Sequence, residues 1–218
     1  MNVKKYIVIK GGIIMNEQIK KQKLGAINGI EFIGGQITSR VEANVEKGDI
    51  VLDTIKVIPP KAIHEGKLHH DELYDLALKT EVKSDKFTKA GDIVIKLSTP
   101  YDAAYIKQED EGIMITSFCA IIRLKNENEV LASYLVTYLN SEVFQNYVQA
   151  VVSGAAIPMM TLGKLKDFEI KLVTIEKQKQ IAEYYQNICE KEVVMKKIIE
   201  LEKEKLSAIL GGENNGIN

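Results

Sequence analysis

The stretch Thr174–Leu210, TIEKQKQIAEYYQNICEKEVVMKKIIELEKEKLSAIL, has the repeat of one long helix. Alternate steps of three and four residues from Gln178 reach mostly apolar side chains, with Glu192 and Glu202 as polar exceptions: Ile181, Tyr185, Ile188, Met195, Ile199, Leu206 and Ile209. A 3.5-residue repeat is typical of a coiled-coil seam, and at about 1.5 Å per residue the helix is roughly 50 Å long. We predict that these seven residues form an interface with a second helix. Packing along its own domain is the alternative that periodicity leaves open.

The length and composition indicate one domain with an appendage, or two small domains. The chain has 218 residues, of which 45% are hydrophobic and 27% are charged, and its apolar runs are too short for a membrane span or a secretory signal. Cys119 and Cys189 are isolated in the sequence, which predicts neither a disulfide framework nor a cysteine metal site and fits a reducing cytoplasm. The net charge of −1 argues against a nonspecific nucleic-acid coat, but it is compatible with a local basic face.

The start of the chain has two interpretations. Residues 1–22 could be a basic lead-in to the domain. Alternatively, Lys10-Gly-Gly is what a purine-rich ribosome-binding sequence encodes, and it lies shortly before Met15. We therefore consider that translation starts at Met15 and that residues 1–14 are untranslated leader.

Between Lys23 and Leu124 the pattern is β-rich. Two segments, 46–52 and 89–95, share a Gly-Asp-Ile-Val phrase, and each predicts a tight turn that leads into a strand, because glycine tolerates positive φ and aspartate bonds nearby backbone. Asp49 and Asp92 are therefore expected to be turn residues rather than catalytic carboxylates. The segment 57–63 contains two prolines and is expected to be extended.

The three histidines, His64, His69 and His70, are followed by two acidic residues. Their spacings do not place two ligands on one helix face or one turn, so the sequence predicts surface-loop residues and no metal site.

After Arg123 the pattern becomes helical. A stripe of apolar and tyrosine side chains runs through 130–152, Ser141 is placed to cap a second helical segment, and Ser153-Gly154 predicts its end. Thr161 is expected to cap a short turn, and 168–172 alternates as a strand before the long helix. The tyrosines are expected in the core with their hydroxyls at its edge.

The order of these parts resembles the specificity subunit of type I restriction-modification systems. The resemblance rests on phrases spread from about Lys23 onward: Lys23-Leu-Gly, Pro-Pro-Lys-Ala-Ile-His-Glu-Gly-Lys at 59–67, Ala-Gly-Asp-Ile-Val-Ile leading to Leu97-Ser-Thr99, Ser117-Phe-Cys-Ala-Ile-Ile-Arg123, the helix 133–141, Ser153-Gly154, Phe168-Glu-Ile-Lys-Leu172 and Gln178-Lys-Gln-Ile-Ala182. The segment between Arg40 and Lys96 falls in the part of the family that varies.

The resemblance implies an α+β fold with a β-rich target recognition domain and packed helices at 23–173, a spacer helix at 174–210 and a disordered tail at 211–218. It implies a half-subunit, with one recognition domain where the family usually has two. Such a chain is expected to form a homodimer through antiparallel helices. The implied partners are double-stranded DNA, methyltransferase subunits that use S-adenosylmethionine and, through these, a restriction subunit. The family has no chemistry or cofactor of its own.

Recognition of DNA requires cations for phosphates and polar groups for base edges. The candidates for phosphate contacts are Arg40, Lys56, Lys61, Lys67, Lys83, Lys86, Lys89 and Lys96. The candidates for base edges are Gln36, Ser98, Thr99 and Ser117.

Two other classes of function stay open. A half-subunit could occupy the methyltransferase or a full specificity subunit and regulate it without reading DNA. An enzyme is disfavoured, because the sequence has no nucleophile elbow, metal-ligand run or phosphate-binding glycine loop.

Overall fold

The computed structural model describes residues 20–154 and 158–212. The interpretations of Met15 and residues 1–14 lie outside the described residues, as do residues 213–218 of the predicted tail. Gly211 and Gly212, which were assigned to that tail, belong instead to the last helix. The strands are β1 (Lys20–Lys23), β2 (Ile30–Gly34), β3 (Asp53–Ile58), β4 (Ile63–His64), β5 (Lys67–Leu68), β6 (Tyr74–Leu78), β7 (Ile93–Lys96), β8 (Ala103–Tyr105), β9 (Met114–Ile115), β10 (Cys119–Leu124) and β11 (Glu169–Leu172). The helices are α1 (Ala132–Leu139), α2 (Glu142–Val152), α3 (Leu162–Asp167) and α4 (Ile175–Gly212).

A four-stranded antiparallel sheet lies at the centre, in the order β2-β10-β7-β8. Its two middle strands are buried on both faces, since Ile93, Ile95 and Ile122 face one cluster of core residues while Val94 and Ile121 face another. Continuous apolar runs rather than alternation are what a strand covered on both faces needs. The central sheet therefore separates two halves of the core.

The other sheets are smaller. Strands β6-β3-β9 form a mixed sheet in which β3 pairs antiparallel with β6 and parallel with β9. Strands β4 and β5 form a hairpin whose turn residues are Glu65 and Gly66. Residues of these two sheets, among them Ile58, Ile63 and Ile115, pack on the same face of the central sheet as Val94 and Ile121. A third small sheet pairs β1 with β11.

Helices α1, α2 and α3 cover the opposite face of the central sheet, where Tyr134, Phe144 and Phe168 pack together with the strand side chains. The capping predictions are confirmed. Ser141 Oγ accepts the amide hydrogen of Phe144 at 3.4 Å, and Thr161 Oγ1 accepts that of Lys164 at 3.2 Å. These caps explain where α2 and α3 begin.

The tyrosines of this region lie in the core with their hydroxyls at its edge, as predicted. Tyr134 donates a hydrogen bond to the carbonyl of Lys171 at 2.7 Å, and Tyr147 donates one to Lys164 at 2.6 Å. Each hydroxyl therefore links a helix to a later segment of the chain. The ring is buried in the core, and the hydroxyl has its hydrogen-bond partner within the domain.

The Gly-Asp turns are also confirmed. Gly48 and Gly91 have φ of 83° and 87°, and each aspartate bonds an earlier backbone amide, Asp49 that of Asn44 at 2.9 Å and Asp92 that of Lys89 at 2.7 Å. The second turn leads directly into β7. The first does not lead into a strand at once, because β3 begins only at Asp53 and residues 50–52 are exposed.

The extended segment predicted for 57–63 is only partly observed. Strand β3 ends at Ile58, and Pro60–Ala62 then forms a single 3₁₀ turn that delivers β4. Proline at the start of such a turn has its φ preset and needs no amide partner.

Helix α4 leaves the domain after β11, which pairs with β1. Gln178 is fully buried at its first turn, where the side-chain amide donates to the carbonyls of Glu129 and Val173 and accepts from the amide of Leu131, each at 2.9 Å. Three hydrogen bonds from one side chain thus fix the direction in which the helix leaves. No helix in the described part of the chain is both long enough and apolar enough to cross a membrane.

Candidate nucleic-acid interface

The four candidates for base-edge contact lie at the same end of the central sheet. Strand β7 ends before Ser98 and Thr99, strand β10 begins after Ser117, and strand β2 ends before Gln36. Because β10 is antiparallel to both neighbours, these three ends coincide. We call Gln36, Ser98, Thr99, Ser117 and Phe118 the sheet-end surface.

Backbone hydrogen bonds hold the segments of this surface together. The amide of Ser117 donates to the carbonyl of Gln36 at 2.8 Å, and the amide of Leu97 donates to that of Phe118 at 2.8 Å. The amide of Gln36 in turn donates to the carbonyl of Ile115 at 2.9 Å. The base-edge candidates are therefore presented by connected backbone rather than by independent loops, which suits a surface that must hold polar groups at fixed positions.

Gly35 makes this arrangement possible. A Cβ atom at this position would lie 2.0 Å from the carbonyl oxygen of Thr116, so a side chain is excluded. The close approach of the two backbones brings Gln36 beside Ser117. We expect any substitution of Gly35 to separate the two segments.

Phe118 was not among the sequence candidates, yet its side chain is 51% exposed at the centre of the sheet-end surface. Residues Cys119–Ile122, which follow it, are all buried, so the exposed aromatic ring departs from the pattern of the strand. An apolar ring beside polar groups can contact a thymine methyl or stack on a base. The signal in the sequence is a single large aromatic residue placed between a serine and an uninterrupted buried run.

Two of the cationic candidates lie near this surface. The ammonium group of Lys86 donates to the carbonyl of Gly34 at 2.8 Å and lies 3.8 Å from the carboxylate of Asp85, and Arg40 is exposed in the 3₁₀ turn that follows Gln36. Cations at such positions suit contacts with phosphates, and for these two residues that role stays a prediction.

The other cationic candidates are elsewhere or already paired. Lys56 is paired with Asp75 at 3.3 Å, Lys61 with Glu72, and Lys96 with Asp102 at 2.8 Å. The side chain of Lys96 is 6% exposed, so its charge is committed inside the domain. Lys83 and Lys89 are exposed, with Lys89 beyond the opposite end of β7, and Lys67 lies in the β4–β5 hairpin beside α4.

Asp92 and Arg123 form a buried pair that belongs to the domain rather than to the interface. The guanidinium donates to both carboxylate oxygens, at 2.8 and 2.7 Å, and also to the carbonyl of Phe87 at 3.0 Å. The hydrogen bonds that Arg123 donates to the Asp92 carboxylate raise the pKa of Arg123. A carboxylate so fully occupied is structural, which agrees with its predicted role as a turn residue.

Helix α4 has two halves with different surroundings. Ile181 and Tyr185, the first two seam residues, pack against the core of the same chain, as the packed-helix alternative expects. Beyond Cys189 every residue up to 211 is exposed, including the remaining seam residues after Ile188: Met195, Ile199, Leu206 and Ile209. Ile188 is also exposed, at 38%, so the seam of α4 is open to another helix from this residue onward.

The exposed half of α4 has a second apolar row beside the seam. Val194, Ile198 and Leu201 are separated by four and three residues, and each is about half exposed. A helix with two adjacent apolar rows has a face wide enough for more than one neighbouring helix. A groove of about 600 Å³ lies where α4 meets α1 and the β4–β5 hairpin, with Tyr185 and Cys189 among its lining residues.

The histidines differ from the sequence prediction. His64 and His69 are half-buried and stacked in the β4–β5 hairpin region, with Glu65 beside them. His70 lies apart and faces the buried carboxylate of Asp110 at 2.7 Å. The β4–β5 hairpin brings His64 and His69 together. Their spacing in the sequence does not predict this, because it matches neither one helix face nor a single turn.

The described chain is thus a β-rich domain with polar groups at one end of its central sheet, followed by a long helix that is exposed in its second part. The model of the type I restriction modification DNA specificity domain matches residues 54–203, more than half of the chain. The protein belongs to this family, and the resemblance identified from the sequence is confirmed. A comparison with curated proteins finds no match.

Solved structures show the same fold. The HsdS subunit from Thermoanaerobacter tengcongensis aligns over 94% of this chain and 48% of its own, with a TM-score of 0.58 and 16% identity. The S subunit from M. genitalium aligns over 88% and 45%, with a TM-score of 0.52 and 14% identity. A chain from a study of complex assembly and conformational transition of the type I R–M system aligns over 86% and 47%, with a TM-score of 0.51 and 17% identity. The chain spans about half the length of each, and the predicted α+β architecture with a long C-terminal helix is confirmed.

Proposed function

We propose that this protein is the sequence-specific DNA recognition subunit of a type I restriction-modification complex. It directs methyltransferase subunits, and a restriction subunit where one is present, to a bipartite DNA site. The protein itself carries no catalytic step. The observation that carries the proposal is the convergence of Gln36, Ser98, Thr99 and Ser117 on one exposed sheet end of a specificity-family domain.

The recognition unit proposed here comprises residues 23–173, with DNA lying against the sheet-end surface. The amide of Gln36 can bond adenine through both its donor and its acceptor, and the hydroxyls of Ser98, Thr99 and Ser117 can bond any base edge. Arg40 and Lys86 contact flanking phosphates and fix the register of the domain on the duplex. We do not assign this role to Lys96, because its ammonium group is paired with Asp102 inside the domain.

The second half of α4 joins two recognition units. Its seam residues are exposed in the single chain, and burying them requires a second helix. In an antiparallel pair of identical helices, the two-fold symmetry buries the seam of each helix against the seam of the other. The same arrangement places one recognition domain at each end of the pair. The neighbouring apolar row, Val194, Ile198 and Leu201, is the surface that we assign to the methyltransferase subunit.

The test is methylome sequencing of the native host. Loss of one methylated bipartite motif on deletion of the gene, with return of that motif on complementation, supports the proposal. Complementation with the double variant Gln36→Ala, Ser117→Ala should leave the motif unmethylated or relax it at one position in each half. Gln145→Ala, which truncates a similarly half-buried glutamine on α2, should behave as the wild type.

The same experiment tests the regulatory alternative. A subunit that occupies the methyltransferase without reading DNA would change the extent of methylation at motifs specified by another subunit. Its effect would be the same for the double variant and the wild type. That result would overturn DNA recognition by this chain and leave only the helix interaction.

A further inference from the structure

Three potential metal ligands lie together in and beside the β4–β5 hairpin. His64, Glu65 and His69 each offer one ligand atom, and these atoms lie within 4.8 Å of one another. All three residues are half-buried. The cluster contains two of the three histidines in the sequence.

The hairpin geometry creates the cluster. His64 pairs with Lys67 across a two-residue turn, in which Glu65 and Gly66 have φ of 55° and 72°. Positive φ at both turn residues is the type I′ arrangement, which favours asparagine, aspartate or glycine. Glu65 occupies the first turn position, where the turn conformation favours a shorter side chain or glycine. The conformation of the turn therefore does not explain why a glutamate is present.

The two imidazoles are close and nearly parallel. Their ring centroids are 3.4 Å apart with an interplanar angle of 14°, and His69 Nε2 lies 3.3 Å from the carbonyl oxygen of His64. Two imidazoles and one carboxylate are a donor set that zinc uses with a fourth position open. Ligand atoms in a tetrahedral zinc site are roughly 3.3 Å apart, so a rotation of one ring and a small contraction complete the geometry.

Glu65 is at present paired with Lys196 of α4. Lys196 donates a hydrogen bond to the Glu65 carboxylate, so this carboxylate already has a cation as its partner. The pair is largely exposed on the lysine side, and such pairs are weak. A divalent ion bound by three ligands can displace the ammonium group.

We propose that His64, Glu65 and His69 bind one divalent transition-metal ion of the zinc class. Binding takes Glu65 from Lys196 and so breaks this ion pair between the hairpin and α4. The site lies on the side of the domain that faces the helix, and it is independent of DNA recognition at the sheet-end surface.

The test is titration of the tag-free, metal-stripped protein with Zn²⁺ by calorimetry at pH 7.4, with Co²⁺ absorption as a direct report of coordination. We expect one site per chain. His64→Asn and His69→Asn should each weaken it at least about tenfold, the scale on which even outer-shell changes act. His70→Asn is the matched control, because it removes the one remaining imidazole and should leave the affinity unchanged.

Lys196→Ala provides a second arm. Removal of the competing ammonium group should tighten Zn²⁺ binding about two- to fivefold, the scale of an exposed ion pair. Each variant is first compared with the wild type in metal-free thermal unfolding, so that a misfolded variant is not scored. Equal effects of the three histidine variants, or unchanged affinity for His64→Asn and His69→Asn, would overturn the site. Unchanged affinity for Lys196→Ala would overturn Glu65 as a ligand.

Discussion

At the scale of single residues, the domain depends on two buried polar side chains whose partners are distant in the sequence. Asp92 bonds Arg123, which is 31 residues away, and Gln178 bonds Leu131, which is 47 away. The local turn at Asp92 was predicted correctly from Gly-Asp. Its arginine partner was not, because a salt bridge between two strands depends on tertiary pairing and leaves no local signal.

Arg123→Ala should lower the free energy of unfolding by about 3–5 kcal/mol, because it leaves the buried carboxylate of Asp92 without its charged partner. Urea denaturation followed by circular dichroism measures the change. The control is Lys125→Ala, which removes an exposed pair with Glu31 at 2.7 Å and should change stability by at most about 1 kcal/mol. Similar losses in the two variants would show that the buried pair has no special role.

Gln178→Ala should lower the free energy of unfolding by about 2–4 kcal/mol. The change removes three hydrogen bonds and leaves the buried amide of Leu131 and the part-buried carbonyls of Glu129 and Val173 without this partner. Gln180→Ala, two residues further on an exposed face, serves as the control with an expected change under about 0.5 kcal/mol. A loss no larger than that of the control would contradict the account of how α4 is attached.

At the scale of elements, the helices were the best-predicted part of the fold. Ser141, Thr161 and Ser153-Gly154 mark helix boundaries through local hydrogen bonds and backbone conformation, so the sequence alone places them. Residues 50–52 have the same local phrase as β7 but remain exposed outside any strand, because whether a segment finds a pairing partner is a tertiary matter.

The heptad repeat of α4 was also predicted, but not the division of the helix into a packed and an exposed half. Both halves of the helix have the same 3.5-residue pattern, because packing on the domain core and packing on a partner helix each require an apolar stripe. Ile181 contacts its own domain, whereas Leu206 is 56% exposed. Only the three-dimensional position of the domain distinguishes them.

Leu206→Glu should weaken self-association by about 100-fold or more, because two-fold symmetry places a buried charge on both helices of the pair. Analytical ultracentrifugation over a concentration series measures the association. The control is Ser207→Glu, which adds the same charge one residue further along, on the polar side of the helix. Equal weakening by both variants would point to net charge, and no weakening by either would remove Leu206 from the interface.

At the scale of the whole molecule, the proposed complex is a pair of DNA-reading domains held apart by helices. Because the first part of α4 packs on its own domain, the spacer is the exposed part from Glu190 onward, about 35 Å long. This is shorter than the roughly 50 Å expected from the full repeat. It corresponds to about ten base pairs between the two attachment points. The sequence identifies Gln36, Ser98, Thr99 and Ser117 as candidates. It does not predict that they lie together at one end of the sheet, because that depends on the order of the strands.

The most direct test of the account is the methylome of the native host carrying a variant in which residues 196–202 are duplicated. One added heptad keeps the seam in phase and lengthens the exposed half of α4 by about 10 Å, or about three base pairs of duplex. We predict that the methylated motif keeps both half-site sequences and gains about three unread base pairs between them. An unchanged spacing in a host that still methylates the motif would contradict the claim that paired α4 helices set the distance between two DNA-reading domains.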